Sequence, residues 1–498
     1  MITVKHGALI TAAFLASSAS GLNGSVEMIG EIRVLNLWGT WEEMGYAHGY
    51  LMGPDIMLIF EEYFLELAGG QSNVNLLRNY FPIYFSVFGE FAEYAEGIIT
   101  GASDTISLWS GVYNRNIDIL DLYITSSVPD LSAVVDLPHL FCSSVSAWGE
   151  ATQGESQLQG DPAISRNLDF YLDTGETILE HCILVVHDPD DGQEWVSVSF
   201  PGFMGTLSGM NEAGLTAALN MGNHPGVSQT GTPFVPICMA LALGLSRVDF
   251  DGSGTCDIGD ITASATEWNR ANTYDIHMVS PVNLGGEHGP AVVTEVNNHA
   301  GFAFRHSYHE PSIAPNTMIL TNHHRVLYPP ITCYRYSMLR DSLQNSAEVT
   351  LDRLWNFMKT VGFTPLPGTG GTLQTMIFQP QQRRIGLAFA SSGVGPYHKN
   401  PEWIEWTDLF PNHGQQSVQE GWQQQGLSVH PNPASVTVTV HGAMGVPPML
   451  YDLTGRRVDI PFTEEGDLFR GDVSGLATGL YIATTPAGSS GATFMVLR

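Results

Sequence analysis

The stretches Phe141-Cys142-Ser143-Ser144-Val145 and Ser165-Arg166-Asn167-Leu168-Asp169-Phe170 decide the fold of this chain. Each is a short β-prone run, and the residues between them, 149–162, are rich in Gly, Ser, Gln and Pro, which favour turns. The pattern predicts a β-hairpin that brings together the thiol of Cys142, the guanidinium of Arg166 and the carboxylate of Asp169. A single cysteine is most often a small buried apolar residue. Here the neighbouring charged groups of Arg166 and Asp169 make Cys142 a candidate nucleophile.

Composition limits the possible partners and location of the protein. With 498 residues, 43% of them hydrophobic, the chain can bury large cores, and we expect two or three domains. The formal net charge is −30, which argues against nucleic acid and against an anionic membrane surface as partners. Residues 1–21 carry Lys5, a short apolar run and then small residues, the pattern of a secretory signal peptide. No later segment reaches the roughly 20 apolar residues of a membrane span, so we expect an exported, soluble protein.

The cysteine count is odd. With five cysteines, at least one thiol stays unpaired in a monomer, and Cys142 is the candidate for it. Whether the other four cysteines form disulfides is left open by the sequence.

Cys142, followed by the hydroxyl residue Ser143 and later by Arg166-Asn167-Leu168-Asp169, resembles the cysteine N-terminal-nucleophile hydrolases. These include choloylglycine hydrolases, acid ceramidase, N-acylethanolamine acid amidase and the penicillin acyltransferases. The resemblance implies an α+β fold, a four-layer αββα sandwich, and a precursor that is cut just before Cys142. The freed α-amine, whose reference pKa is about 7.7 to 8.0, would then serve as the base for the thiol. Ser143 in place of the commoner Thr and a longer Cys-to-Arg spacer are departures from the family pattern.

The segment before the nucleophile also carries the resemblance. Gly39-Thr40-Trp41-Glu42-Glu43-Met44-Gly45 resembles the opening of the penicillin acyltransferases, and Thr40 with Glu43 predicts a helix-starting capping box. Apolar and aromatic residues recur at helical spacing over residues 54–100, which is typical of a core rather than of a substrate contact; His48 is likewise expected to be structural. Residues 22–141 are therefore predicted to be a mostly helical pro-segment or small subunit that stays packed on the catalytic domain, residues 142–410.

Two downstream stretches extend the candidate site. Residues 211–220, with Asn-Glu-x-Gly-Leu and then Leu-Asn, resemble a strand hairpin of the family, which implies that Asn220 donates to the oxyanion; a turn-forming role is the alternative. Thr321-Asn322-His323 resembles the family's Thr-Asn-x-Pro site, and Arg335 lies where the family has the Arg of a Ser-x-x-Arg step. The resemblance implies that Asn322 and Arg335 complete the polar network. We predict no zinc at His323 and His324, because no Glu or third His stands at ligand spacing.

An apparent insertion has calcium-loop spacing. Oxygen side chains fall at loop positions 1, 3, 5, 9 and 12, with a main-chain carbonyl at position 7 and Gly254 at position 6. The candidate ligands are Asp249, Asp251, Ser253, Thr255, Asp257 and Asp260. This arrangement resembles one dockerin-type repeat, although dockerin repeats normally come in pairs, and a plain Asp/Gly turn is the alternative. Calcium is expected to stiffen the loop, and no cofactor is expected in catalysis.

The C-terminal part has a different character. Residues 411–425 are rich in Gln, Gly and Ser, as in a linker. Residues 426–498 alternate apolar and polar residues between turn signals, which predicts a small antiparallel β-sandwich. Its Pro431-Asn432-Pro433, Thr454-Gly455-Arg456 and Gly475-to-Tyr481 steps resemble the sorting domain of type IX secretion. This implies the secretion machinery as a partner and export to the medium or surface of a Gram-negative bacterium, with a carbohydrate-binding or adhesion sandwich as the alternative.

The sequence therefore predicts a secreted amidohydrolase that cleaves a linear N-acyl amide, or transfers its acyl group, through a thioester on Cys142. Arg166 and Asp169 would orient the α-amine and the substrate. The second hypothesis is a calcium-stabilised surface binding protein on an inactive hydrolase scaffold. A cysteine-directed electrophile is expected to label Cys142 alone in the active enzyme. The substrate is not readable.

Overall fold

The structure is a computed structural model that divides into two compact units, residues 1–412 and residues 413–498. The described residues are 21–132, 134–135, 137–138, 141–222, 233–282, 289–344, 348–410, 428–430, 435–441, 447–452, 457–458, 460–465, 468–484 and 491–496. The predicted linker, and the predicted signal peptide apart from its last residue, lie outside these ranges.

The first unit combines helices with two large sheets. Its helices are α1 (Trp41–Leu58), α2 (Leu65–Leu67), α3 (Gln71–Tyr84), α4 (Gly89–Ser103), α5 (Ile119–Ser126), α6 (Val128–Leu131), α7 (Ile237–Ser246), α8 (Ile258–Thr266), α9 (Tyr334–Gln344), α10 (Leu351–Val361) and α11 (Trp406–Leu409), and a π-helical stretch, Ile59–Phe64, continues α1. Its strands are β1 (Gly24–Ile29), β2 (Ile32–Gly39), β3 (Trp109–Ser110), β4 (Arg115–Asn116), β5 (Phe141–Ala147), β6 (Ala163–Phe170), β7 (Ile183–Pro189), β8 (Trp195–Ser199), β9 (Ser208–Asn211), β10 (Thr216–Met221), β11 (Thr273–Val279), β12 (Ala291–Asn297), β13 (Gly301–Arg305), β14 (Thr317–Leu320), β15 (Gly371–Gln379), β16 (Arg384–Phe389) and β17 (Glu402–Glu405). Within the described ranges, no helix is long and apolar enough to cross a membrane.

The two large sheets lie face to face. One has nine strands in the order β1-β2-β7-β8-β9-β10-β11-β12-β13, and the other has six in the order β14-β5-β6-β15-β16-β17. Helices α1, α7 and α8 pack on the nine-stranded sheet, α9 and α10 pack on the six-stranded sheet, and β10 and β12 contact β5 and β14 between the sheets. The α+β fold with four layers, αββα, is confirmed.

The segment before Cys142 is part of this sandwich. It is mostly helical, but its strands β1 and β2 extend the nine-stranded sheet, and β2 pairs in parallel with β7. The predicted capping box starts α1, because the Glu43 N–H donates to Thr40 Oγ1 at 3.2 Å and the Thr40 N–H donates to Glu43 Oε2 at 2.9 Å. His48 is buried between Tyr94 and the main-chain N–H of Gly202, which donates to its Nε2 at 2.9 Å. Cutting the chain before Cys142 would therefore leave both pieces sharing one sheet.

Glycines let α1 and α4 approach closely. A Cβ at Gly45 would lie 2.1 Å from the Tyr94 carbonyl oxygen, and a Cβ at Gly101 would lie 2.0 Å from the Tyr46 carbonyl oxygen. Any side chain at these positions would force the two helices apart. The glycine spacing of the opening motif thus has a packing cause.

The second unit is built from strands throughout its described part. They are β18 (Ser428–His430), β19 (Thr437–His441), β20 (Met449–Asp452), β21 (Arg457–Val458), β22 (Phe462–Glu465), β23 (Leu468–Asp472), β24 (Gly479–Thr484) and β25 (Gly491–Val496). They form two antiparallel sheets, β18-β19-β23-β22 and β21-β20-β24-β25, around one apolar core. This arrangement matches the predicted β-sandwich; the Pro-Asn-Pro and Thr-Gly-Arg steps lie outside the described residues.

Candidate active site

The predicted hairpin places Cys142 between the two sheets. Strands β5 and β6 pair antiparallel, with Cys142 opposite Leu168 and Ser144 opposite Arg166. Because side chains alternate along a strand, Cys142 and Arg166 point into the space between the sheets, whereas Asp169 faces the layer of α9 and α10. Arg166 and Asp169 therefore approach Cys142 from opposite faces of β6.

Two N–H donors hold the Cys142 sulfur. Arg166 Nη2 lies 3.4 Å from Sγ, and the main-chain N–H of Asp169 also donates to the sulfur. Arg166 is itself fixed by hydrogen bonds to the carbonyl oxygens of Leu207, at 2.9 Å, and of Leu219. Burial raises the pKa of the Cys142 thiol, although the charge of Arg166 opposes that shift. The thiol is thus protonated at neutral pH in this environment, and a base would be needed to make it a thiolate.

Asn322 and Arg335 hold the main chain of the same residue. The Cys142 N–H donates to Asn322 Oδ1 at 3.0 Å, and Arg335 Nη2 donates to that oxygen at 2.7 Å. Arg335 Nη1 donates to the Cys142 carbonyl oxygen at 2.6 Å and to Ser143 Oγ at 2.7 Å. In the structure it is therefore Asn322, rather than Arg166, that holds the Cys142 nitrogen.

Asp169 adds a buried carboxyl group. Its Oδ1 accepts a hydrogen bond from Thr372 Oγ1 at 2.5 Å, and its Oδ2 lies 3.9 Å from Arg335 Nη1. Among the described residues, Oδ2 has no hydrogen-bond partner. Burial raises the pKa of Asp169 to about 7, against the charges of Arg335 and Arg166. A new donor at this carboxyl group would find a vacant acceptor.

Asn220 lies near the end of β10, across the gap from β5. Its Nδ2 donates to the Thr321 carbonyl oxygen at 2.8 Å, and Asn322 Nδ2 donates in return to the Met221 carbonyl oxygen at 2.8 Å. These two reciprocal bonds join β10 to the segment that follows β14. A side-chain amide has two N–H donors, so Asn220 can keep this bond and still donate to an oxyanion.

Three buried residues that sequence spacing did not connect meet beside these asparagines. His324 Nδ1 lies 2.9 Å from Asp275 Oδ1 on β11 and 3.9 Å from Glu295 Oε2 on β12. Their possible ligand atoms lie within 4.8 Å of one another. The available signal was one acidic residue inside each of two otherwise largely apolar strands, but nothing in the sequence placed them next to His324.

This cluster does not fit a metal ion. Both oxygens of Glu295 already accept main-chain N–H bonds, at 2.7 to 3.0 Å, from Arg325, Val326 and Leu327. Arg305 Nε lies 3.1 Å from Glu295 Oε1 and brings a positive charge to the place where a cation would bind. We therefore describe the cluster as an ion-pair network.

The calcium-loop residues partly converge. Carboxylate oxygens of Asp249, Asp251 and Asp260 lie within 4.8 Å of one another, and Gly254 has φ +90° and donates its N–H to Asp249 Oδ2 at 2.9 Å. Asp257 instead caps α8, accepting the Gly259 N–H at 2.6 Å. Ser253 Oγ and Thr255 Oγ1 are 3.1 Å apart. Asp249, Asp251 and the glycine turn fit the start of a calcium loop. Asp257 would have to give up a cap or bind through water, and Asp260 would have to exchange the main-chain N–H bonds that both its oxygens accept from Phe250, Asp251 and Asp257.

An apolar cavity of about 60 Å³ is lined in part by residues that neighbour the site. Leu207, whose carbonyl oxygen holds Arg166, is in its wall, and Phe170 directly follows Asp169. The aromatic part of the wall is Phe60, Tyr63, Phe64, Phe170, Phe200 and Phe203. Phe60, Tyr63 and Phe64 come from the π-helical stretch, so the aromatic residues expected to be core alone also line a cavity.

The second thiol near the site is Cys333, just before α9. All five cysteines are free, and Cys142 is fully buried whereas Cys333 is half-buried. Burial raises the pKa of Cys333, but hydrogen bonds with His323, the Tyr336 N–H and Thr321 outweigh it and lower the pKa to about 6. The expectation that an electrophile labels Cys142 alone stays a prediction, and Cys333 is a second candidate for labelling.

While Cys142 is still bonded to Phe141, iodoacetamide at pH 7 should label Cys333 faster than Cys142, because Cys333 is then mostly thiolate and the Cys142 thiol is buried and protonated. Peptide mass spectrometry of the labelled protein measures both sites. Cys333→Ser should remove the fast phase and leave the slow one, while Cys182→Ser, at a buried thiol outside the site, should leave both. Fast labelling confined to Cys142 would contradict these environments.

No protein-family model matches the chain. Among curated proteins, it is 28% identical over 206 residues to an uncharacterized protein of Archaeoglobus fulgidus, which covers 38% of this chain and 32% of that protein. It is 25% identical over 284 residues to protein dcd1B of Dictyostelium discoideum, which covers 53% and 54%. The chain thus spans from about a third to about half the length of these relatives.

Two of the solved structures similar to the chain are amide-cleaving enzymes by their names. A Caenorhabditis elegans ortholog of N-acylethanolamine-hydrolyzing acid amidase gives a TM-score of 0.34 at 14% identity, over 48% of this chain and 93% of that chain. Penicillin V acylase from Agrobacterium tumefaciens gives 0.35 at 13% identity, over 54% and 88%. Similarity at this level carries no conclusion about activity, which has to come from the geometry of the chain itself.

Proposed function

We propose that this protein is an autoprocessed amidohydrolase that cleaves a linear amide C–N bond through a thioester on Cys142. One observation carries the proposal: side chains of the site hold both the sulfur and the main-chain nitrogen of Cys142. Arg166 Nη2 lies 3.4 Å from the sulfur, and Asn322 Oδ1 lies 3.0 Å from the nitrogen. This arrangement suits a residue whose thiol is the nucleophile and whose nitrogen, once freed from Phe141, is the base.

Autoprocessing would use the same thiol. The Cys142 sulfur adds to the Phe141 carbonyl carbon, the C–N bond to Cys142 breaks, and the nitrogen takes the thiol proton. Water then hydrolyses the thioester, which leaves a carboxylate on Phe141 and a free thiol and α-amine on Cys142. Phe141 is 49% exposed, so its new carboxylate can turn to solvent. Oδ2 of Asp169, which has no hydrogen-bond partner among the described residues, is a candidate acceptor for the new amine.

Turnover would repeat these steps on a substrate amide. The α-amine takes the thiol proton, and the thiolate attacks the substrate carbonyl carbon. Asn220 Nδ2 and a main-chain N–H stabilise the oxyanion. As the C–N bond breaks, the ammonium returns its proton to the leaving amine. Water, or an amine in the case of acyl transfer, then releases the acyl group from the sulfur, and the proton returns to Cys142.

The apolar cavity supports an apolar acyl group as the substrate's acid part. Leu207 and Phe170 connect its wall to the residues around Cys142, and burying apolar surface gives about 25 cal/mol per Å². A library of N-acyl amides of increasing acyl length, given to the purified mature protein, tests the proposal. Mass spectrometry should find the free acid and amine, with Cys142→Ala as the inactive control. An active-site thiol that turns over no amide would favour the binding-protein alternative.

We also propose that calcium stabilises residues 249–260 without entering catalysis, because the carboxylates of Asp249, Asp251 and Asp260 would repel one another without a cation. Calcium at a hundredfold excess over its Kd adds about 2.7 kcal/mol to the free energy of unfolding. The melting temperature should therefore rise by a few degrees with calcium and fall with a chelator. Asp249→Asn should remove this response, and Asp341→Asn, on α9, should keep it. A chelator-insensitive melting temperature would count against the assignment.

Export through type IX secretion remains our proposal for the C-terminal sandwich. The sorting unit would be removed during export to the medium or cell surface. Protein recovered from the medium or surface of the native host should then end before about Leu427, which intact-mass measurement checks. A secreted chain that still carries Arg498 would contradict this proposal.

A further inference from the structure

The ion-pair network of His324, Asp275 and Glu295 lies next to the two asparagines of the candidate site, Asn220 and Asn322. Asn220 is opposite Asp275 across β10 and β11, and Asp275 is opposite Glu295 across β11 and β12. Cross-strand partners share a face of a sheet, so these three side chains form one row that faces the six-stranded sheet. His324, which bonds Asp275 at 2.9 Å, follows two residues after Asn322.

The segment from Thr321 to Leu327 is held at two places within this network. Glu295 accepts three of its main-chain N–H groups, and Asp275 holds the His324 ring. Between these anchors and β14 lie Thr321 and Asn322, which form the reciprocal bonds with β10. The position of Asn322 Oδ1 beside the Cys142 nitrogen therefore depends on this segment staying in place.

The charges in the network balance only when His324 is protonated. The carboxylates are Asp275, Glu295 and Glu310, and the cations are Arg305, Arg325 and His324. Burial lowers the pKa of His324, but the charges of Asp275 and Glu295 outweigh burial and the opposing charge of Arg305, so that its pKa is raised above the ordinary value. A neutral His324 would leave one buried negative charge in excess.

We propose that the His324–Asp275 pair is a positioning device that holds Asn220 and Asn322 in register with Cys142. This inference rests on the proposed function, because the register matters only if Cys142 reacts. The pair touches neither the acyl cavity nor the nucleophile. Its loss should therefore lower kcat and leave KM nearly unchanged.

The pH dependence follows from the raised pKa of His324. The stabilisation by its charged form is present at low pH and is lost as pH rises through the folded-state pKa. Wild-type kcat should therefore decline on the alkaline side as the segment loosens.

The test compares His324→Gln, Asp275→Asn and the double variant with the wild type. Gln keeps a donor for Asp275, and Asn is isosteric with Asp, so at least one of the two single variants should fold like the wild type. Each single variant should lose roughly 10- to 100-fold in kcat, keep KM within about twofold, and lack the alkaline decline. The double variant should be no worse than either single one, because both break the same pair. His299→Gln, in the exposed turn between β12 and β13, is the matched control.

Additive losses, an unchanged kcat, or an alkaline decline that persists in His324→Gln would overturn the inference while leaving the proposed function intact. If the wild type hydrolyses no amide, the proposed function fails. Hydrogen exchange then tests whether the His324–Asp275 pair holds the segment that contains Asn322. Main-chain exchange over residues 321–325 should then be faster in His324→Gln than in His299→Gln. Equal exchange would overturn the inference independently of activity.

Discussion

Cys142→Ala should yield an uncut chain with no detectable amidase activity. The variant lacks the sulfur that adds to the Phe141 carbonyl carbon, and no other thiol is held by Arg166 and Asn322 together. In the wild type, gel electrophoresis should show two fragments, and N-terminal sequencing of the larger one should begin at Cys142. The two fragments should purify together, because β2 of the smaller pairs with β7 of the larger.

Cys182→Ala is the matched control for this prediction. Its thiol is also buried, but it is held by the Ile178 carbonyl oxygen rather than by Arg166, so cleavage and turnover should persist. Three results would contradict the mechanism: cleavage of Cys142→Ala, full activity of an uncut wild type, or a large fragment that begins at another residue.

Local pattern was enough to predict the parts of the site that depend on neighbours in sequence. The β5–β6 hairpin and the Thr40 capping box each follow from the composition of a short stretch, the β9–β10 hairpin is implied by the resemblance of residues 211–220, and the structure has all three. The antiparallel sheets of the second unit were predictable from alternation in the same way.

What could not be predicted depends on register between distant strands. Asp275 and Glu295 reach His324 only because β11 and β12 place them in one row, and no spacing rule relates residues so far apart in sequence. The low pKa of Cys333 likewise results from its position between His323 and α9. Helical periodicity predicts that Phe60 and Phe64 are buried but cannot show that a cavity opens beside them.

Asn220→Ala should lower kcat by about 10² to 10³, the usual loss for one oxyanion donor. Charge develops on the substrate oxygen only as the thiolate attacks, so the donor acts in the transition state and KM should change little. Asn220→Asp keeps the shape but replaces the N–H donor by an acceptor, and it should lose at least as much.

Because Asn220 also bonds the Thr321 carbonyl oxygen at 2.8 Å, its removal could act by loosening the segment rather than by losing an oxyanion donor. The two causes give different kinetics. Loosening would reproduce the His324→Gln profile, with its missing alkaline decline, whereas loss of the donor lowers kcat equally at every pH. Asn36→Ala, which removes a partly exposed amide on β2, should leave kcat unchanged. A kcat within about threefold of wild type in Asn220→Ala would assign oxyanion stabilisation to main-chain N–H groups instead.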